Sequence, residues 1–301
     1  MRLSVFKLRY RPDGGLTGWL FLTPLIVVLA VLALIPVLYA LGLSFFDYNV
    51  LRPQQNKFSG LANFNAMLQD ERFRTALFNS FRYVVVCVPL SVVLGVLAAL
   101  LLDHELPGMR IFRALAITPM MVMPLVVGLN FRMLFDYQDG LINWLLSRVL
   151  WFERVHWLDS PDGAFGATVI MELWCTIPFV MMLTLAGLKN LPVEVFDAAK
   201  VDGAGKFQMF FRLTLPLLMP VLTVVILLRT LTTFKLFDQI YSLTEGGPGS
   251  ATETISYYAY VLGFKRFDMG YAALISYVLV FIIAVVCLVL LKILQAERKQ
   301  A

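Results

Sequence analysis

Six stretches of this chain, about residues 16–45, 77–102, 113–135, 164–187, 215–240 and 270–292, are long and apolar enough to cross a bilayer. A membrane-spanning helix needs ~20 mostly apolar residues. No other feature narrows the fold as far, because in lipid every backbone polar group must be satisfied within the segment or by a neighbour, which selects helices. The composition agrees: 59% of residues are hydrophobic and 15% charged, where soluble domains carry about 25% charged residues. The first run exceeds the ~7–15-residue apolar core of a signal peptide and reads as a retained helix, with Pro24 and Pro36 as bend points. The expected fold class is an all-α membrane protein with six transmembrane helices.

Charge sets an expected orientation. The segments 1–15, 103–113, 188–212 and 292–301 hold 13 Lys and Arg, including Arg2, Lys7, Arg9 and Arg11, whereas the longer segments 47–76, 136–163 and 241–269 hold 8. The positive-inside rule then puts both termini and the 188–212 loop in the cytoplasm. Tyr48, Trp144, Trp151, Trp157, Tyr257 and Tyr258 lie in or beside the opposite loops, where such rings anchor at the interface. The net charge of +5 belongs to the inside loops and does not point to nucleic acid. Cys87, Cys175 and Cys287 each sit alone in an apolar run, and His104 and His156 are isolated. These spacings suit neither a disulfide nor a metal site, and catalytic residues are not expected.

The inside loop, 188–216, is the most informative segment. "VDGAGKF" at 201–207 looks at first like a phosphate-binding loop, but Lys200 stands where its first glycine belongs and Phe207 where its hydroxyl belongs. Local chemistry predicts a short helix instead. Pro192 suits a first turn. Glu194 and Asp197 suit the positive end and Lys200 the negative end of a helix, and Asp202-Gly203 suits its stop. Ala198 and Ala199 leave room for another backbone, and Phe196 is the anchor expected for an interface. A second helix then leads through Pro216 into the membrane.

Asp197-Ala198-Ala199, three residues, Gly203, nine residues, Leu213, one residue, Leu215-Pro216 resembles the EAA motif, E-A-A-x3-G-x9-I-x-L-P, with Asp for Glu and Leu for Ile. That motif marks membrane subunits of binding-protein-dependent ABC importers. "FDQIYSLTEGGPGSATETISYYAY" from Phe237, "GYAALISY" from Gly270, "GLANF" at 60–64 and "DGLINWLL" at 139–146 are similar to the carbohydrate-uptake branch of the family, the maltose and glycerol-phosphate type. The resemblance implies a type I importer permease: residues 1–76 as amino-terminal tail, first helix and periplasmic loop, and 77–301 as a five-helix transmembrane domain with its coupling loop. It implies a sugar, polyol or sugar-phosphate substrate, a second and commonly different permease subunit, two ABC ATPase subunits that carry the ATP and Mg, and a periplasmic or lipoprotein solute-binding protein. It implies a multi-pass protein of the bacterial inner membrane, surrounded by lipid, with no cofactor of its own. Coupling would fall to Glu194, Phe196, Asp197, Ala198, Ala199, Lys200, Asp202, Gly203 and Pro216. Six spans alone also suit a stand-alone secondary transporter or channel, which leaves the EAA-like loop unexplained.

Ionisable groups inside spans are functional candidates by default. Glu172, Thr176 and Phe179 share one helical face, and Arg229, Thr233 and Leu236 repeat that spacing. Polar groups beside a flat ring suit a sugar, and the regions flanking the coupling loop line the sugar site in maltose-type relatives. Two roles fit Glu172 and Arg229: neutralising each other in the bundle, or lining the substrate path. Lys235 and Asp238 suit a gate or packing. Gly246-Gly247-Pro248-Gly249 suits a turn cluster or a loop meeting the binding protein.

Overall fold

The computed structural model describes residues 15–104 and 107–300. The basic cluster Arg2, Lys7, Arg9 and Arg11 lies outside the described residues, as do the side chains of Arg298 and Lys299. The first span is α1 (Gly15–Leu29), a π-helical turn (Ala30–Leu34) and α2 (Ile35–Leu43). A two-residue hairpin follows, β1 (Phe46–Asp47) against β2 (Lys57–Phe58), and then α3 (Ala62–Gln69). The long α4 (Glu71–Leu102) opens on Asp70, whose carboxylate accepts hydrogen bonds from the Arg72 and Phe73 backbone N–H groups. This satisfies donors that a helix start leaves without partners.

The third apolar run is not one straight span, contrary to the expectation for 113–135. It divides into α5 (Met109–Met121) and α6 (Pro124–Leu134), which meet at 94°. Val122 and Met123 are extended, as a residue before proline tends to be, and Pro124 opens the second helix. After α7 (Leu141–Arg148) comes α8 (Pro161–Lys189), opened by Ser160, whose hydroxyl accepts from the Gly163 N–H. The chain continues with α9 (Val193–Val201), α10 (Lys206–Met209), a π-helical turn (Phe210–Thr214) and α11 (Leu215–Phe234). The fifth run also ends earlier than expected. It stops at Phe234, and α12 (Asp238–Leu243) starts in a new direction before α13 (Ile255–Tyr260), a third π-helical turn (Val261–Lys265) and α14 (Met269–Gln300). Among the described residues, five helices meet the length and hydropathy of a span, and six do if the bent α5–α6 pair counts as one broken span.

Helices α4 and α8 form the centre of the bundle. They approach closely at Gly95, where a side chain would run into Val180. Phe73, Phe234, Tyr258 and Ile275 pack α4, α11, α13 and α14 together, while Tyr83, Phe165, Val169 and Ile240 join α4 to α8 and α12. No residue of the apolar window of the first span is buried. It is tied to α14 through the Tyr277 hydroxyl, which donates to the Val37 carbonyl.

Candidate functional site

Glu172 on α8 and Arg229 on α11 meet in the interior with Nη2 and Oε1 2.8 Å apart, and their side chains are only 3% and 4% exposed. An isolated charge at this depth carries a desolvation cost of several kcal/mol, so partners are required. Arg229 Nε donates to the Ser91 hydroxyl at 3.3 Å, Nη1 to Thr232 at 3.0 Å, and Nη2 also to Thr233 at 3.3 Å. The second carboxylate oxygen of Glu172 accepts from Gln239 Nε2 at 2.9 Å. One charge pair therefore joins α4, α8, α11 and α12.

The pair forms the floor of a cavity of about 390 Å³, lined among others by Thr176, Phe179, Thr232, Lys235, Leu236, Asp238 and Gln239. Glu172, Thr176, Phe179, Arg229 and Leu236 thus come together as their spacing suggested. Thr233 does not line the cavity. It is fully buried behind Arg229, a supporting position and not the pathway position expected. Ser91, Thr232, Cys175, Pro124 and Gln239 are the additions. Gln239 reaches Glu172 only because α11 stops at Phe234, and the Leu236 and Phe234 carbonyls freed there accept from Thr254 and Ser256 at 2.7 and 3.3 Å. A larger cleft, about 550 Å³, opens beside Asp136, Tyr137 and Asp159. It holds surface carboxylates and turn backbone and no buried ion pair, so the chemistry points to the smaller cavity.

The loop between α8 and α11 has the predicted helix–turn–helix form. Pro192 precedes α9, Glu194 lies in its first turn and Lys200 in its last. Gly203 has φ +78°, the left-handed conformation that glycine takes without penalty. The N–H groups of Asp202, Gly203 and Ala204 donate to the Ala198, Lys200 and Ala199 carbonyls at 3.0, 3.1 and 2.9 Å, closing the helix end. Ala199 and Asp202 also line a small cavity against Gln208, Arg212 and Leu213. Asp197 and Lys200 bridge each other at 2.9 Å on the exposed side of α9. Phe196 is half-buried, and the most exposed apolar side chains of the loop are Val201 (88%) and Phe207 (84%), ahead of Val193 and Phe211. Pro216 lies in the first turn of α11, just beyond the π-helical turn.

A family model described as "Binding-protein-dependent transport system inner membrane component" matches residues 91–297. The trehalose/maltose transport system permease protein of Thermococcus litoralis is 37% identical over 88% of this chain and 87% of its own length. The lactose transport system permease protein of Rhizobium radiobacter is 34% identical over 89% and 90%. The sulfoquinovosyl glycerol transport system permease protein of Agrobacterium fabrum is 32% identical over 92% and 90%. The fold is that of a chain in the crystal structure of a bacterial alginate ABC transporter in complex with alginate pentasaccharide-bound periplasmic protein: TM-score 0.81 at 20% identity, covering 95% of this chain and 96% of that one. The match over most of the sequence, the bundle of apolar spans and the EAA-like loop agree, and the chain belongs to the family of binding-protein-dependent transport system inner membrane components.

Proposed function

We propose that this chain is the permease subunit of an ATP-driven sugar importer, that the Glu172–Arg229 cavity is its share of the sugar path, and that α9 docks on a separate ATPase. The observation that carries the reading is the placement of the loop. It joins the two helices that hold the ion pair, and none of the nine residues of α9 is buried in this chain. Helices this short are marginal in water without packing, so a partner surface is the natural completion. Val201 and Phe207, beside the half-buried Phe196, offer that surface apolar anchors, and Gly203 sets the turn between them.

The working cycle follows. Closure of two ATPase subunits, which bind the ATP and Mg, moves α9. Rigid α8 and α11 carry the motion ~25 Å and ~20 Å respectively to Glu172 and Arg229, at 1.5 Å per residue. The bundle then exchanges an outward-open for an inward-open state, a bistable response biased by differential contacts. A solute-binding protein delivers the sugar, and a second permease subunit completes the cavity in a bacterial inner membrane. The chain itself performs no hydrolysis. Relatives named for trehalose/maltose and lactose transport support a sugar cargo, as do the ring of Phe179 and the amide of Gln239.

The test is reconstitution of the chain with its co-encoded permease, ATPase and binding protein, followed by uptake of labelled trehalose, maltose and lactose. ATP-dependent uptake of at least one is expected. ATP-independent flux by this chain alone would favour a secondary transporter or channel.

A further inference from the structure

At the end of the bundle away from the coupling loop, four aromatic rings form a continuous contact series. Phe237 and Tyr241 stack at 5.7 Å between ring centroids, Tyr241 and Tyr260 meet edge-on at 5.6 Å, and Tyr260 and Phe264 stack at 5.5 Å. Phe237 also touches Tyr260 at 5.1 Å. The series rests on buried Tyr257, whose hydroxyl accepts from Lys265 Nζ at 3.3 Å. We propose that this series is a carbohydrate-binding track, separate from the Glu172–Arg229 cavity, along which sugar rings pass to or from it. The inference rests on the sugar-importer reading and adds a second binding surface to it.

Three observations carry it. The rings are not core: Tyr241 is 37% and Phe264 66% exposed, and Phe237 and Tyr260 are half-buried. The inner end adjoins the cavity in the chain, since Phe237 stands between Leu236 and Asp238, both of which line it. The chemistry is mixed in the way a sugar needs. Flat faces serve ring C–H groups, while the Tyr241 and Tyr260 hydroxyls and the Lys265 amine lie beside them for hydroxyl partners.

The experiment uses the assembled transporter with its binding protein and the panel sugar that the wild type imports. Replacing Tyr260 or Phe264 with Leu keeps apolar bulk and removes the flat ring, while Tyr260→Phe keeps the ring. The maximal uptake rate is expected to fall about tenfold for each Leu variant, the scale of one lost stacking contact, and to fall less than ~2-fold for Tyr260→Phe. The half-saturating sugar concentration, set by the binding protein, should not move. In addition, Phe264→Trp should change its emission when that sugar is added to the purified complex. Unchanged rates in both Leu variants overturn the track and leave the importer reading intact. Loss of the co-purifying permease in the Leu variants also overturns it, by making the series a subunit interface. Failure of the wild type to import any panel sugar overturns the sugar reading, and the track with it.

Discussion

Glu172 and Arg229 are each other's main condition for being buried. Removing one leaves the other unpaired, at a cost of roughly 3–5 kcal/mol. Arg229→Ala is therefore expected to lower the melting temperature of the purified complex sharply, and Glu172→Gln to lower it less, because Gln can still accept from Arg229. The double variant Glu172→Gln/Arg229→Gln should recover part of the loss relative to Arg229→Ala, as thermal denaturation would read. Uptake should remain impaired in all three, since the cavity floor changes in each. Asp70 gives the pH-dependent case, just ahead of α4. Burial pushes its carboxyl up, but hydrogen bonds from Tyr258, Tyr271 and the Phe73 and Arg72 backbone outweigh this and hold it below its ordinary value. A depressed carboxylate stabilises the fold above its unfolded value of about 3.9, and the contribution is lost as pH falls through the lower folded value. Asp70→Asn should flatten the acid limb of the stability profile in that window.

At the scale of the element, the loop between α8 and α11 separates folding from the docking proposed for it. Nothing lies within 4 Å of the position a Gly203 side chain would take, and Asp is among the residues that tolerate left-handed backbone best. Gly203→Asp should therefore insert and assemble with the second permease, while uptake and sugar-stimulated ATP hydrolysis fall at least about tenfold, a loss equivalent to ~1.4 kcal/mol of docking. Normal uptake would remove the coupling assignment. This loop was legible in the sequence because each part has local chemistry: Pro192 at the start, acids ahead of Lys200 along the helix, Gly203 at the stop. The α5–α6 bend carried a signal too, Pro119 and Pro124, but a proline within an apolar run is also compatible with a continuous span, so the run read as one helix. The α11–α12 break carried none. No proline or glycine stands between Phe234 and Asp238, and the hydroxyls that donate to its loose carbonyls, those of Thr254 and Ser256, arrive from 18 and 22 residues away. Gln239 could not be placed against Glu172 until that break was known, whereas Glu172, Thr176 and Phe179 follow from helical spacing alone.

For the whole molecule, the reading requires that the cavity face one side of the membrane at a time. Cys175 lines it, while Cys87 is buried and Cys287 lies on α14. In a Cys87→Ser/Cys287→Ser background, a membrane-impermeant maleimide should label Cys175 from one side at rest and from the other when ATP and vanadate trap the complex. Labelling from the same side in both states would contradict alternating access.

The π-helical turn at Phe210–Thr214 has a consequence for helical phase. A π turn is one residue inserted into an α-helix, and one residue corresponds to ~100° of rotation at 3.6 residues per turn. The insertion thus fixes the angle between the face that α10 presents beside the coupling loop and the face on which α11 carries Arg229. Because Arg229 is locked by Glu172, Ser91, Thr232 and Thr233, deleting one residue from this turn would leave the span in place and rotate the loop instead. The result would be a permease with an intact cavity whose α9 points about a quarter-turn away from the partner proposed for it.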